Sequence, residues 1–136
     1  MIELVLDASV VLKWFTGERE RHGEEARAIR QSYRAGETAI TAPPLLFLEL
    51  LNVAGRRWGW DEGALMELAS SLEELEFEVG EAEFASIAVW TSRGMTAYDA
   101  AYVALAESRG VRLVTDDETV LSIAPNVATP LGGLPR

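Results

Sequence analysis

The sequence predicts an α/β fold: a central parallel sheet of four to five short strands covered by helices on both faces, a three-layer α/β/α sandwich. Three observations predict it. Short apolar or alternating runs of strand length recur along the chain, separated by longer segments of helical spacing. Gly and Pro punctuate the boundaries between them. The 136 residues are 49% apolar, enough for one domain with a real core, and no repeat, linker or low-complexity segment divides them.

Residues 2–6 read as a short buried strand, followed by a short helix over 8–15 that Thr16 and Gly17 end. A polar helix follows over 20–35, with Arg27, Arg30 and Arg34 at helical spacing and Gly36 as its stop. Residues 38–41 form a second strand. Pro43 and Pro44 then open a helix running to about Arg57, where Trp58-Gly59-Trp60 breaks it. Asp61 caps a helix to about Leu72, and 75–79 alternate like a strand. Helices over about 81–93 and 97–109 stop at Gly94 and Gly110. A strand over 111–115, a short helix over 117–123 and a final short strand near 126–128 complete a single domain over 1–129, with a loose Gly/Pro-rich tail over 130–136.

Composition narrows the function. No cysteine is present, which excludes disulfides, thiolate-bound zinc and a thiol nucleophile. The apolar runs are too short to span a bilayer, and Met1 leads directly into the first strand with no basic leader, so a cytoplasmic protein is expected. The formal net charge of −10 argues against simple polyanion binding and suits a basic protein partner. It leaves open an enzyme that meets nucleic acid through bound metal and a local basic patch.

Four acids stand at the edges of apolar runs or inside them: Asp7, Glu49, Asp99 and Asp117. A carboxylate beside a core is costly unless something neutralises it, and a divalent cation neutralises several at once. An all-oxygen set suits Mg²⁺ or Mn²⁺ and phosphate-ester chemistry. Asp7 and Asp117 both follow strands, which in a parallel sheet puts them on one rim. Each is also a good helix N-cap, and Thr96-Ala97-Tyr98-Asp99 reads equally as a capping box. Glu49 resists that alternative, because it lies in mid-helix among Leu45, Leu46, Leu48, Leu50 and Leu51; its other reading is a narrow solvent stripe.

These residues carry a resemblance to the PIN-domain family, and within it to the VapC type of toxin ribonuclease. "VLDASVVLKWF" at 5–15 resembles the first motif, with Asp7 as its acid and Ser9 beside it. "PPLLFLELLNV" at 43–53 is similar to the second and supplies Glu49. "TAYDAAYVALAE" at 96–107, the most specific, supplies Asp99. "LVTDDETV" at 113–120 resembles the fourth, Thr-x-Asp, which selects Asp117 over Asp116 and adds Thr115. The resemblance implies metal-dependent endoribonuclease activity with Mg²⁺ or Mn²⁺. Asp7, Glu49 and Asp99 would be principal ligands or water-orienting groups, Asp117 would support them, and Ser9 and Thr115 would donate hydrogen bonds. It also implies an RNA substrate, a cognate VapB-type antitoxin that directs a basic side chain toward the acidic pocket, and a homodimer. A catalytically inactive PIN fold kept for protein interaction is the alternative.

Arg19, Arg21, Arg27, Arg30 and Arg34 form the densest basic segment, and Arg56-Arg57 a second. Either offers RNA phosphates a contact, with Arg27 and Arg30 as the named candidates; the plain alternative is a solvated helix face paired with Glu24, Glu25 and Glu37. His22, the sole histidine, reads as a surface residue, and Trp14 and Trp90 as core. Trp58 and Trp60 read as core or as an exposed interface pair. A receiver domain needs paired acids after the first strand and a late lysine, whereas the only lysine here is Lys13. Asp7-Ala8-Ser9 lacks the Asp-x-Asp of haloacid-dehalogenase-type phosphatases, and Walker and dinucleotide-binding glycine patterns are absent.

Overall fold

The computed structural model describes residues 1–16 and 20–133. Five strands, β1 (Ile2–Leu6), β2 (Thr38–Ala42), β3 (Glu78–Val79), β4 (Arg112–Thr115) and β5 (Ala128–Pro130), form one sheet in the order β3-β2-β1-β4-β5. Every neighbouring pair is parallel, with Leu4 opposite both Ile40 and Arg112, and Leu6 opposite Val114. Val5, Leu6, Leu113 and Val114 are fully buried, as strands covered on both faces require.

The helices are α1 (Ala8–Val11), α2 (Gly23–Arg34), α3 (Leu45–Asn52), α4 (Glu62–Leu75), α5 (Phe84–Ser92), α6 (Ala97–Arg109) and α7 (Glu118–Ile123). A 3₁₀ turn over Leu12–Trp14 extends α1, and a π-helical stretch over Val53–Arg57 extends α3. Trp14 and Trp90 are buried; Trp58 and Trp60 are half-buried, packed against the core with ring centroids 5.3 Å apart. Gly110 ends α6 at φ +68, a conformation that disfavours any side chain. Gly110→Ala is expected to lower stability by about 1 kcal/mol, read as a shifted urea midpoint.

Several boundaries differ from the sequence reading. The 75–79 segment is strand only at Glu78–Val79, because Leu68, Leu72 and Leu75 prolong the helical face of α4 until Glu76 turns left-handed at φ 54. The last strand lies two residues later, at Ala128–Pro130. The tail expected to be loose from 130 onward begins with packed residues: Pro130 pairs with Thr115, and Leu131 is fully buried in a 3₁₀ turn over Leu131–Gly133. α2 starts at Gly23, after His22 in the left-handed region. Gly17 and Arg19 lie outside the described residues, as do residues 134–136.

The topology positions a site. From β1 the chain steps to β2 and β3 on one side, then returns to β4 and β5 on the other. The order therefore reverses between β1 and β4, and a crevice opens beyond their carboxyl ends. Asp7 follows β1, and Asp116-Asp117 follow β4.

Candidate active site

Asp7 is buried at the start of α1, only 6% exposed. As N-cap it accepts from the Ser9 amide at 3.1 Å and from the Ser9 hydroxyl at 2.5 Å. Ser9 Oγ in turn accepts from the Asp116 amide at 3.0 Å, so one hydroxyl ties the loop after β1 to the loop after β4. Thr115 is fully buried; its hydroxyl accepts from the Asp117 amide at 3.0 Å and hydrogen-bonds Asp7. Asp117 caps α7, accepting from the Val120 amide at 3.0 Å. The capping reading of Asp7 and Asp117 is thus correct as local structure, and a capping carboxylate keeps lone pairs for a second partner.

Asp99 does not cap its own helix. Thr96 does, accepting from the Asp99 amide at 3.1 Å, which leaves the Asp99 carboxylate in the first turn of α6 without that duty. One turn on, the buried Tyr102 hydroxyl donates to Glu49 Oε1 at 2.6 Å. This bond joins α3 to α6 and gives the half-buried Glu49 a fixed orientation. It replaces the solvent-stripe reading of Glu49 with a specific partner.

The acids feel one another. Burial pushes the Asp7 carboxyl up to about 6, against hydrogen bonds from Ser9 and Thr115 that hold it down, and the charge of Asp99 adds to the rise. Burial also raises Glu49, opposed by the Tyr102 hydroxyl and reinforced by Asp99. Asp99 is itself raised by burial and by Asp117. Asp99 therefore repels both Asp7 and Glu49 and is repelled by Asp117, and the four side chains share one negative region. The Tyr102 hydroxyl is pushed up by burial and by Glu49, so it stays protonated as a donor.

Hard oxygen donors under mutual repulsion fit a divalent cation of the Mg²⁺ or Mn²⁺ type. Among the described residues, however, no three His, Cys, Asp or Glu side chains stand close enough to enclose an ion by themselves.

Two features escaped the sequence. Tyr102 was legible only as an apolar-run residue, although a buried tyrosine needs a hydroxyl partner. Lys13, itself buried, pairs with Asp116 at 3.3 Å and with Glu20 at 3.8 Å. Asp116 is thereby paired with a protein cation. Tyr102→Phe is expected to weaken Mn²⁺ binding about tenfold, measured by titration calorimetry, because Glu49 loses the donor that orients it.

The named arginines do not share one place. Arg30 is half-buried with its guanidinium 5.7 Å from the Trp14 ring, and its Nε has no hydrogen-bond partner among the described residues. Arg27 is exposed on α2. An open cleft of about 760 Å³ runs beside Glu49, and its cation is Arg56; neither Arg27 nor Arg30 lines it.

The model of the PIN domain matches residues 4–124. Ribonuclease VapC3 of Pyrobaculum aerophilum is 31% identical over 95% of this chain and 100% of its own length. The crystal structure of PAE2754 from Pyrobaculum aerophilum superposes with a TM-score of 0.66 at 24% identity, covering 96% of this chain and 92% of that one. FitAcB from Neisseria gonorrhoeae does so with a TM-score of 0.65 at 18% identity, over 96% and 99%. With the four acids spaced along the matched segment and the parallel sheet in place, the chain belongs to the PIN-domain family.

Proposed function

We propose that this PIN-domain protein is the toxin component of a VapBC-type toxin–antitoxin system, an endoribonuclease that hydrolyses RNA phosphodiester bonds with Mg²⁺ or Mn²⁺. The observation that carries the reading is the electrostatic coupling of Asp7, Glu49, Asp99 and Asp117 at the crevice where strand order reverses. The likeness to ribonuclease VapC3 over nearly the whole chain supports it.

In this reading the ion sits among Asp7, Glu49, Asp99 and Asp117, some of them binding it directly and the others through water. When bound, the ion would supply Lewis acidity at a phosphoryl oxygen and would lower the pKa of the attacking water, making it a better nucleophile toward phosphorus. The protein's own work is orientation. Ser9 and Thr115 fix Asp7, with Ser9 anchored on the Asp116 amide. Tyr102 fixes Glu49. Lys13 draws Asp116 to itself, leaving Asp117 as the acid that acts on Asp99. The single histidine is engaged with Glu25 at 2.7 Å, so the assignment uses no histidine acid–base pair.

A cognate VapB-type antitoxin and a homodimer complete the proposal; the net charge of −10 suits a basic inhibitory segment. No described helix is long and apolar enough to cross a membrane. The absence, among the described residues, of a closed three-carboxylate cluster is the observation favouring an inactive interaction module. End-mapping of cellular RNA after brief expression separates the two. New 5′ ends that vanish on chelation of divalent ions are expected, and an unchanged map with an unresponsive divalent titration would leave the inactive module standing.

A further inference from the structure

Lys13 is the only lysine of the chain and, among the described residues, the only buried cation, at 8% exposure. It follows Ser9 by four residues, one turn along α1 and its 3₁₀ extension. Both side chains reach the same residue of the loop after β4. Ser9 Oγ accepts from the Asp116 amide at 3.0 Å, and Lys13 Nζ pairs with Asp116 Oδ2 at 3.3 Å. Asp116 is thus gripped twice from one short helix, by its backbone and by its side chain. Glu20 is a more distant partner of the same ammonium, at 3.8 Å.

Stability alone is a poor reason for this pair. Burying an ammonium is costly, and apolar residues of similar volume often serve a fold as well. The consequence of the pair lies in the acids beside it. The chain leaves β4 through two successive carboxylates, Asp116 and Asp117, on the rim that also carries Asp7. Asp117 caps α7 through the Val120 amide and is the charge that raises Asp99. Without Lys13, the Asp116 carboxylate, 27% exposed, would stand free beside four acids that already repel one another. A bound ion would then be its natural counter-charge. An added carboxylate tightens the hold on a Mg²⁺-type ion but takes a position that water or a substrate phosphate needs. We propose that Lys13 is a positioning residue acting through Asp116: it holds a fifth carboxylate aside, so that the loop after β4 offers the ion Asp117 alone. The inference rests on the metal-dependent ribonuclease reading and identifies what limits the negative charge of that site.

The test uses the full chain stripped of divalent ions. Mn²⁺ binding is followed by titration calorimetry, and cleavage of extracted cellular RNA in Mn²⁺ by the rate at which new 5′ ends appear. Lys13→Met keeps the apolar stem and removes the charge. It is expected to bind Mn²⁺ about tenfold more tightly and to cleave about 10- to 100-fold more slowly. Adding Asp116→Asn removes the released carboxylate and is expected to bring both values back to within about threefold of the unsubstituted chain. A lysine that only supports the fold predicts the other sign: Mn²⁺ affinity and cleavage fall together with the thermal midpoint in chelator, and Asp116→Asn restores neither. Mn²⁺ affinity that falls or stays level in Lys13→Met, or a double variant no closer to the unsubstituted chain, would overturn the proposal. Lys13→Gln, whose amide still donates to Asp116, is expected to tighten Mn²⁺ binding by a smaller factor, and it decides the sign if Lys13→Met does not fold. An unsubstituted chain that neither binds Mn²⁺ nor produces new 5′ ends ends the ribonuclease reading and this proposal with it. One that does both, with Lys13 without effect, ends the proposal alone.

Discussion

Asp99→Asn is expected to abolish RNA cleavage while leaving the fold in place. Thr96, not Asp99, caps α6, and the bond it accepts comes from the backbone amide, so the substitution leaves the cap untouched. Loss of a negative charge near a helix N-terminus costs about 0.3–1 kcal/mol. Relief of repulsion from Asp117, and upon Asp7 and Glu49, offsets it. Thermal midpoints in chelator should therefore nearly coincide. Catalysis loses the acid that couples to all three others. Several kcal/mol of transition-state stabilisation through the ion corresponds to a fall of about a thousandfold in cleavage rate. A gel-based rate in Mg²⁺ equal to that of the unsubstituted protein would remove Asp99 from the site and with it the metal assignment.

Much of this arrangement was legible in the chain because local rules sufficed. β1 and β4 are apolar runs, and in a parallel sheet the residues after them fall on one rim, which locates Asp7 and Asp117 without any tertiary contact. Glu49 stood out because nothing local satisfies a carboxylate among leucines. Its partner did not, since Tyr102 lies 53 residues away and the pairing of α3 with α6 leaves no mark in either segment. The same holds for Lys13 and Asp116, joined across the β1–β4 crevice.

Edges were harder to read than centres. β3 is a two-residue edge strand held by β2 alone, so side-chain alternation over 75–79 competed with the leucine spacing of α4 and lost. Pro130 lacks an amide proton and reads as loop, yet it is tolerated at the end of β5, where Thr115 is its register partner. Leu131 is buried behind it, a contact that Gly132, Gly133 and the prolines around them disguise as tail. For the arginines, density along the chain points to α2, whereas the cleft beside Glu49 is lined by Arg56.

In metal-free protein, Asp7 should make stability fall as pH rises from about 4 to above 6. The sign follows from linkage. Its carboxyl is raised from 3.8 to about 6 in the folded state, so between those values the native chain binds more protons than the unfolded one. Stability then declines with pH through that window and stays low above it, by about 3 kcal/mol for this group alone. Glu49 and Asp99, raised for the same reasons, add in the same direction. Asp7→Asn isolates the Asp7 share, because asparagine keeps an oxygen for the Ser9 amide and hydroxyl but cannot ionise. Urea midpoints in chelator at pH 4.5 and pH 7.5 should separate for the native sequence more than for Asp7→Asn. Mg²⁺ or Mn²⁺ should then restore stability selectively at the higher pH, since an ion that binds only the folded, deprotonated site shifts the equilibrium by mass action. Parallel pH profiles for the two proteins, unmoved by either ion, would mean that Asp7 is a buried helix cap and nothing more.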